Sequence, residues 1–218
     1  MFPDAIIFDM DGVLVDSEPL HVEATRLLLA DRGIVFAPGH DDDFFGCTDR
    51  EVCRRLRDRY GLATSEDDLA EEWIARALGL LTAPIVPMPG VPEVLDRLRS
   101  DGVRLALASS SSPPIITATL ASLRLDGVFE FAVSGRDVPR GKPAPDIFLE
   151  AMRRLGVSAS ECLVVEDSQN GLRAAVAAAI PCVAVPCAST SGQDFSLAAV
   201  RLESLRGLPA WLDGLPTD

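Results

Sequence analysis

The chain has 218 residues, 48% of them hydrophobic, which is enough for one packed core carrying an inserted module. Its 33 acidic residues outnumber its 20 basic ones, and a net charge of −13 argues against nucleic acid or an anionic membrane as a partner. The five cysteines include no Cys-x-x-Cys pair, and with only two histidines they argue against a zinc site. Reduced thiols in a monomeric cytoplasmic protein are the expectation, with no signal peptide and no membrane span.

The first predicted strand, Ala5–Phe8, is followed directly by Asp9-Met10-Asp11-Gly12. Residues two apart in an extended chain point the same way, so both carboxylates can face one site. Burial and mutual repulsion oppose their ionisation, and a site that tolerates this cost holds a cation, moves protons, or does both. Gly12 permits a tight turn or a close backbone approach. The alternative is a plain acidic turn after a strand.

No strand pattern appears between residues 17 and 88. Helical spacing of apolar residues instead covers Leu20–Arg32, Asp49–Tyr60 and Asp67–Leu80, and prolines at positions 84, 87 and 89 mark the return to the core. We therefore predict an α/β core from residues 1–15 and 90–218, with a helical cap from 16–89 inserted into it. The acidic run Asp41-Asp42-Asp43 is expected to be a solvated loop of this cap.

The rest of the chain alternates short apolar runs with helical patterns. Strands are predicted near Val103–Ala108, Phe129–Val133, Cys162–Val165 and Cys182–Val185. Helices are predicted to begin near Pro92, Pro113, Asp146 and Gly171. This alternation predicts a doubly wound, Rossmann-like parallel sheet covered by helices on both faces.

Polar residues collect where these strands end, the edge at which such sheets bind ligands. Ser109 leads into Ser110-Ser111-Ser112, whose hydroxyls and following helix amides can hold a phosphate, or can merely cap that helix. Glu166 and Asp167 can supply oxygen ligands for Mg²⁺; the alternative is that this segment caps the next helix, with Asp167 or Ser168 as the N-cap. Lys142 lies in a proline-rich loop and, taken by itself, is better explained as a solvated lysine. Together these groups indicate one site.

These segments resemble the haloacid dehalogenase superfamily, specifically its phosphatase and phosphomutase branch with a helical cap after the first strand. The matching segments are Asp9–Pro19, Ser109, Gly141–Phe148 and Val164–Ser168. The second aspartate separates the branches, because a halide leaves without a proton whereas an alcohol leaving group needs an acid. The resemblance therefore implies phosphorus, and not carbon, as the electrophile.

The resemblance also implies roles for individual residues. Asp9 is expected to be the nucleophile, forming an aspartyl-phosphate, while Asp11 protonates the leaving oxygen and later deprotonates the attacking water. Ser109 and Lys142 are expected to bind the transferring phosphoryl group. The phosphate-binding set is completed by Gly12 and Ser110. Mg²⁺ is expected to be held by Asp9, the backbone carbonyl of Asp11, Asp167 and, directly or at close range, Glu166.

Residues of the cap bear on whether water or a second sugar accepts the phosphoryl group. His21 stands where phosphomutases of the β-phosphoglucomutase kind, and some phosphatases, place a histidine; a surface or capping role is the alternative. Those mutases carry a cap lysine where this chain has Phe45, which cannot steer a second phosphate. Arg50 is a candidate substrate contact or a solvated helix residue. Phe45 favours hydrolysis.

The sequence thus predicts a Mg²⁺-dependent phosphatase of small phosphorylated metabolites, with sugar phosphates as the expected substrates. The cap is expected to close about hinges near Val15–Ser17 and Pro87–Gly90. The first alternative is a β-phosphoglucomutase-like phosphomutase. The second is a non-catalytic sugar-phosphate-binding protein on the same fold, which would have no need of Asp11.

Overall fold

A computed structural model describes residues 2–37, 44, 46–81 and 85–216 of the chain. Within these residues, six parallel strands form one sheet in the order β3-β2-β1-β4-β5-β6. The strands are β1 (Ala5–Phe8), β2 (Arg104–Ser109), β3 (Ala132–Ser134), β4 (Cys162–Glu166), β5 (Cys182–Ala184) and β6 (Val200–Arg201). The predicted doubly wound parallel sheet is confirmed.

Eight α-helices surround this sheet in the described residues. They are α1 (Glu18–Ala30), α2 (Asp49–Tyr60), α3 (Glu66–Leu80), α4 (Val91–Ser100), α5 (Pro113–Ser122), α6 (Asp146–Leu155), α7 (Gln169–Ala177) and α8 (Leu208–Asp213). The sequence pattern predicted all but α8, with bounds shifted by a few residues. Among the strands, β6 was not predicted, and β3 begins at Ala132, three residues after the predicted start, because Phe129 lies in a bend.

The central strand β1 separates two apolar clusters on opposite faces of the sheet. Ile6 and Phe8 belong to one cluster, and Ala5 and Ile7 to the other. All four side chains are fully buried, as expected for the middle strand of a sheet covered by helices on both sides. Burying a side chain such as Ile or Phe contributes roughly 1.5–3 kcal/mol. This burial gives the first strand a rigid end from which to present Asp9.

Helices α1, α2 and α3 form the insert between β1 and α4, with α3 packing on both of its partners and on α5 of the core. The chain leaves the core and returns to it side by side: Val15 forms an antiparallel bridge to Pro87, and the Met88 amide donates to the Leu14 carbonyl over 2.9 Å. Thr48 and Ser65 cap α2 and α3 by accepting backbone N–H donors. The acidic run 41–43, Phe45 and Pro84 lie outside the described residues.

No helix in the described ranges combines the length and the apolar character needed to cross a membrane.

Candidate active site

The site lies where the strand order reverses. β1 is flanked by β2 on one side and β4 on the other, so the residues after β1 and at the end of β4 share one crevice. The Asp9 amide extends the ladder by donating to the Val165 carbonyl over 2.9 Å. This contact fixes Asp9 beside Glu166 and Asp167. The doubly wound topology therefore brings Asp9 together with the Glu166-Asp167 pair, which is distant from it in sequence.

Lys142 lies between two of these carboxylates. Its Nζ donates to Asp9 Oδ1 over 2.5 Å, to Glu166 Oε1 over 2.6 Å and to the Ala108 carbonyl over 3.1 Å. The side chain is only 1% exposed and is the only lysine in the sequence. Burial opposes the charge on Lys142, but the carboxylates of Asp9 and Glu166 outweigh this effect and raise the pKa of its ammonium group. Lys142 therefore stays cationic.

The acidic groups around Lys142 are crowded and desolvated. Burial raises the pKa of Asp9 well above its usual value, since the neighbouring Glu166, Asp11 and Asp167 oppose the attraction of Lys142. Burial also raises the pKa of Asp167, and Glu166 adds to that shift. Each of these two aspartates is thus more costly to ionise than it would be in water.

Asp9, Glu166 and Asp167 each offer a carboxylate oxygen, and the three oxygens lie within 4.8 Å of one another. One lysine cannot neutralise three carboxylates, so a divalent cation would relieve the remaining repulsion. Oxygen-only donors suit a hard ion such as Mg²⁺ and not zinc. This donor set fits a metal ion. The side chain of Asp11 is not part of the set.

Glu166 is fixed by the start of the next helix. Its Oε2 accepts the amides of Asp167 and Ser168, each over 2.9 Å, while Ser168 caps α7 by accepting the Gly171 amide over 3.1 Å. Gly171 is needed here because a Cβ on it would lie 1.7 Å from Glu166 Oε1. The capping role and the carboxylate site, which the sequence left as alternatives, coexist.

Asp11 has a different environment from Asp9. Its Oδ1 accepts from Ser17 over 2.6 Å, and its Oδ2 accepts from Ser111 over 3.0 Å and from Ser109 over 3.2 Å. The side chain is 25% exposed, and His21 Nε2 lies 3.9 Å from its Oδ1. Asp11 therefore faces hydroxyl groups and the open site, whereas Asp9 faces a buried lysine. Asp9 and Asp11, two residues apart, thus lie in environments suited to different chemical roles.

Gly12 turns the chain between these groups. It adopts a φ of +82°, and a Cβ on it would lie 2.1 Å from Asp167 Oδ2. Glycine is therefore required both by the left-handed backbone and by the close approach of a carboxylate that belongs to the candidate metal site.

A cavity opens above these residues and is roofed by the insert. It offers about 90 Å³ to the centres of water-sized molecules. Its floor includes Asp9, Asp11, Gly12, Ser110 and Asp167. Apolar side chains of the insert line the opposite side, namely Val22, Phe36, Phe44, Val52 and Trp73. The cavity thus joins a charged floor to an apolar roof.

The structure does not bring every predicted site residue to this cavity. Ser109 is fully buried beneath it and donates to Asp11, whereas Ser110 lines the cavity and donates to the Gly46 carbonyl over 2.9 Å. His21 lines the cavity, with its Nε2 buried and without a hydrogen-bond partner among the described residues. Arg50 does not line it; its exposed side chain pairs with Asp67 on α3.

Several contacts of the site were not predicted from sequence. Ser17 and Ser111 donate to Asp11, while Thr190 and Cys187 contact Asp167 Oδ2 over 3.1 and 3.3 Å. Cys187 and Thr190 follow β5 at the same edge of the sheet, so their position after a predicted strand was an available signal. The buried carboxylate of Asp49, at the start of α2, also lines the cavity.

The chain is similar, over nearly its whole length, to proteins named as phosphatases. The chain is 35% identical over 220 residues to a probable pseudouridine-5'-phosphatase of Drosophila melanogaster, covering 95% of each chain. It is 32% identical over 209 residues to hexitol phosphatase B of Escherichia coli K12, covering 94% of each. The crystal structure of a CbbY variant from Rhodobacter sphaeroides in complex with xylulose-1,5-bisphosphate superposes with a TM-score of 0.88 at 27% identity, covering 94% of this chain and 96% of that one.

A family description matches most of the chain as well. The haloacid dehalogenase-like hydrolase family matches residues 3–179, which include Asp9, Asp11, Lys142 and the Glu166-Asp167 pair. This match confirms the resemblance that the sequence motifs indicated. The protein belongs to the haloacid dehalogenase-like hydrolase family.

Proposed function

We propose that the protein is a Mg²⁺-dependent phosphatase that hydrolyses small phosphorylated metabolites, sugar phosphates in particular, through an aspartyl-phosphate on Asp9. One observation carries this proposal: Asp9 contacts a buried lysine, while Asp11 contacts hydroxyl groups and the open cavity. Hydrolysis through a covalent carboxylate intermediate needs this division between a nucleophile and a proton carrier. The names of the phosphatases similar to this chain agree with it.

In the proposed first step, an oxygen of Asp9 attacks phosphorus while Lys142 limits the negative charge that the approaching phosphate meets. Asp11, protonated at the start, gives its proton to the leaving oxygen. Ser17, Ser109 and Ser111 hold the Asp11 carboxylate toward the cavity by hydrogen bonds of 2.6 to 3.2 Å. The free alcohol then leaves from beneath the insert.

In the second step, Asp11 accepts a proton from water as that water attacks the phosphoryl group on Asp9. Inorganic phosphate is released and both aspartates return to their starting states. Bound Mg²⁺, held by Asp9, Asp167 and Glu166, would neutralise charge on the phosphoryl oxygens. The apolar roof of the cavity keeps bulk water away from the reacting groups.

Hydrolysis is tested by phosphate release from a panel of about a hundred phosphorylated metabolites, with Mg²⁺ and with EDTA. We expect release with Mg²⁺ alone, and its loss in the Asp9→Asn variant with the fold retained. Substantial turnover by Asp9→Asn would remove Asp9 as the nucleophile. Release in EDTA would remove the metal requirement, and no release from any compound would favour the non-catalytic binder.

A phosphomutase would share the first step and differ in the second. Glucose 1-phosphate supplied with a trace of glucose bisphosphate separates the two reactions, because a mutase forms glucose 6-phosphate and a phosphatase forms free phosphate. We expect free phosphate.

We also propose that residues 16–89 move as a cap over the core formed by 1–15 and 90–218. The adjacent crossings at Val15 and Pro87 support the division into cap and core, since the chain enters and leaves the insert side by side at these two residues. Protease cleavage near both crossings should decrease when a phosphate analogue is bound. Equal cleavage with and without the analogue would contradict a moving cap.

A further inference from the structure

The cavity is lined with acidic side chains, and His21 is the one basic side chain among the described residues that line it. Among the described residues, six carboxylates line it and no lysine or arginine does. The segments outside the described ranges contain neither lysine nor arginine, so they cannot supply a side-chain cation of this kind. The six carboxylates are those of Asp9, Asp11, Asp16, Glu18, Asp49 and Asp167.

Three basic residues close to the cavity do not line it, including Arg59, whose guanidinium lies over the Phe44 ring at 5.7 Å. Lys142 lies below the floor, where it is held by Asp9 and Glu166. Arg50 follows Asp49 in α2 but pairs with Asp67 on the exposed side of the helix. The floor can receive one phosphoryl group with the help of Lys142 and a metal ion. Among the described residues of the roof, no lysine or arginine lines the cavity to receive a second anion.

Asp49 brings this negative charge to the insert side of the cavity. Its Oδ2 accepts the Ser112 amide over 2.9 Å at the N-terminus of α5, and only 5% of the residue is exposed. The backbone contact and the helix terminus favour the carboxylate form, and they prevent the side chain from turning out to solvent. Burial raises the pKa of Asp49, and hydrogen bonding from Ser112 and the nearby His21 oppose this rise only in part.

We propose that the cavity selects phosphate monoesters whose leaving group is neutral or cationic, and that Asp49 is a specificity-determining residue that rejects a second phosphate. This inference rests on the proposed phosphatase function, because it assumes that the first phosphoryl group binds at the floor. Like charges held a few ångströms apart in a partly desolvated cavity repel strongly. The CbbY variant crystallised with a bisphosphate accommodates a ligand of the kind that this cavity disfavours.

Binding to the Mg²⁺-loaded Asp9→Asn protein tests the inference without relying on turnover. Calorimetry at fixed free Mg²⁺ would compare fructose 6-phosphate with fructose 1,6-bisphosphate, which differ by one phosphoryl group. It would also compare glucose 6-phosphate with glucosamine 6-phosphate, which differ by one ammonium group. We expect the bisphosphate to bind about tenfold more weakly than its partner, and the amino sugar to bind at least as tightly as glucose 6-phosphate.

Asp49→Asn, added to the same protein, keeps an oxygen that can accept the Ser112 amide but removes the charge. It should reduce the ratio of the dissociation constants of fructose 1,6-bisphosphate and fructose 6-phosphate by threefold or more. Asp58→Asn is the matched control, because Asp58 lies on the exposed side of the same helix and outside the cavity. This variant should leave the ratio of the two dissociation constants unchanged.

Equal or tighter binding of the bisphosphate would overturn the inference. Weaker binding of glucosamine 6-phosphate than of glucose 6-phosphate would also overturn it. The same holds for an unchanged ratio of dissociation constants in Asp49→Asn, or for the absence of binding by every probe. Failure of the proposed function has a different signature, namely no phosphate release by the unmodified protein.

Discussion

Replacing Gly171 with alanine should destabilise the protein, although the same change usually stabilises a helix. Alanine is favoured over glycine in a helix by up to about 1 kcal/mol. Gly171 lies in α7, but its new Cβ would be 1.7 Å from Glu166 Oε1 and 1.9 Å from the carboxylate carbon. Glu166 cannot move away freely, because it is bonded to Lys142 and to the amides of Asp167 and Ser168.

The loss of stability in Gly171→Ala can be estimated from the contacts of Glu166 that the added Cβ would break. Disrupting a buried ion pair costs about 3–5 kcal/mol. Subtracting the helical gain leaves a loss of about 2–4 kcal/mol in the free energy of unfolding. For a chain of this length, that loss lowers the melting temperature by about 5–15 °C. Phosphate release should fall as well, because Lys142 loses one of its two carboxylate partners.

Calorimetric melting of Gly171→Ala and Gly79→Ala checks this reasoning with a matched pair. Gly79 lies in α3, and nothing lies within 4 Å of the Cβ that would be added there. Gly79→Ala should therefore raise the melting temperature by about 2–4 °C. The two variants should shift in opposite directions. A Gly171→Ala protein as stable and as active as the unmodified one would refute the proposed rigidity around Glu166.

Three further perturbations address the metal set and Asp11. Burial raises the pKa of Asp9 and Asp167, so the free energy of unfolding falls as pH rises through the pKa values of these groups in the folded protein. The melting temperature should therefore be higher with Mg²⁺ than with EDTA, and this difference should be larger at pH 8 than at pH 5. An equal difference at the two pH values would contradict this linkage. Thr190→Val removes a hydrogen bond to Asp167 and should weaken Mg²⁺ binding about tenfold by calorimetry, unlike Thr117→Val on the exposed face of α5. Ser17→Ala should lower kcat about tenfold through loss of the 2.6 Å bond to Asp11, and a change under twofold would count against that role.

Much of the site could be predicted because its residues stand at the ends of strands. Alternating strands and helices imply a parallel sheet, and a parallel sheet gathers the ends of its strands at one edge. Asp9, Ser109 and Glu166-Asp167 were therefore expected to meet. The carboxylates of Asp9, Glu166 and Asp167 do lie together, while Ser109 contacts Asp11. The loop of Lys142 gives no local sign that its side chain turns inward between two carboxylates. That position was expected from the family resemblance alone.

The sequence left open, or missed, features that depend on the direction of a side chain or on the length of an element. Arg50 and Asp49 are neighbours in α2, but successive residues of a helix point about 100° apart, so Asp49 faces the cavity and Arg50 faces solvent. Spacing by itself does not fix this rotation. β6 has two residues and α8 has six, too few for a periodic pattern of apolar residues to appear.

The solitary lysine has a consequence for studying the folded protein. Lys142 carries the only side-chain primary amine in the sequence, and that amine is buried in the active site. Reagents that acylate lysine should therefore leave it unmodified in the native state and reach it only when the site opens. The rate of acylation at this one position becomes a natural reporter of opening and unfolding, without an engineered label.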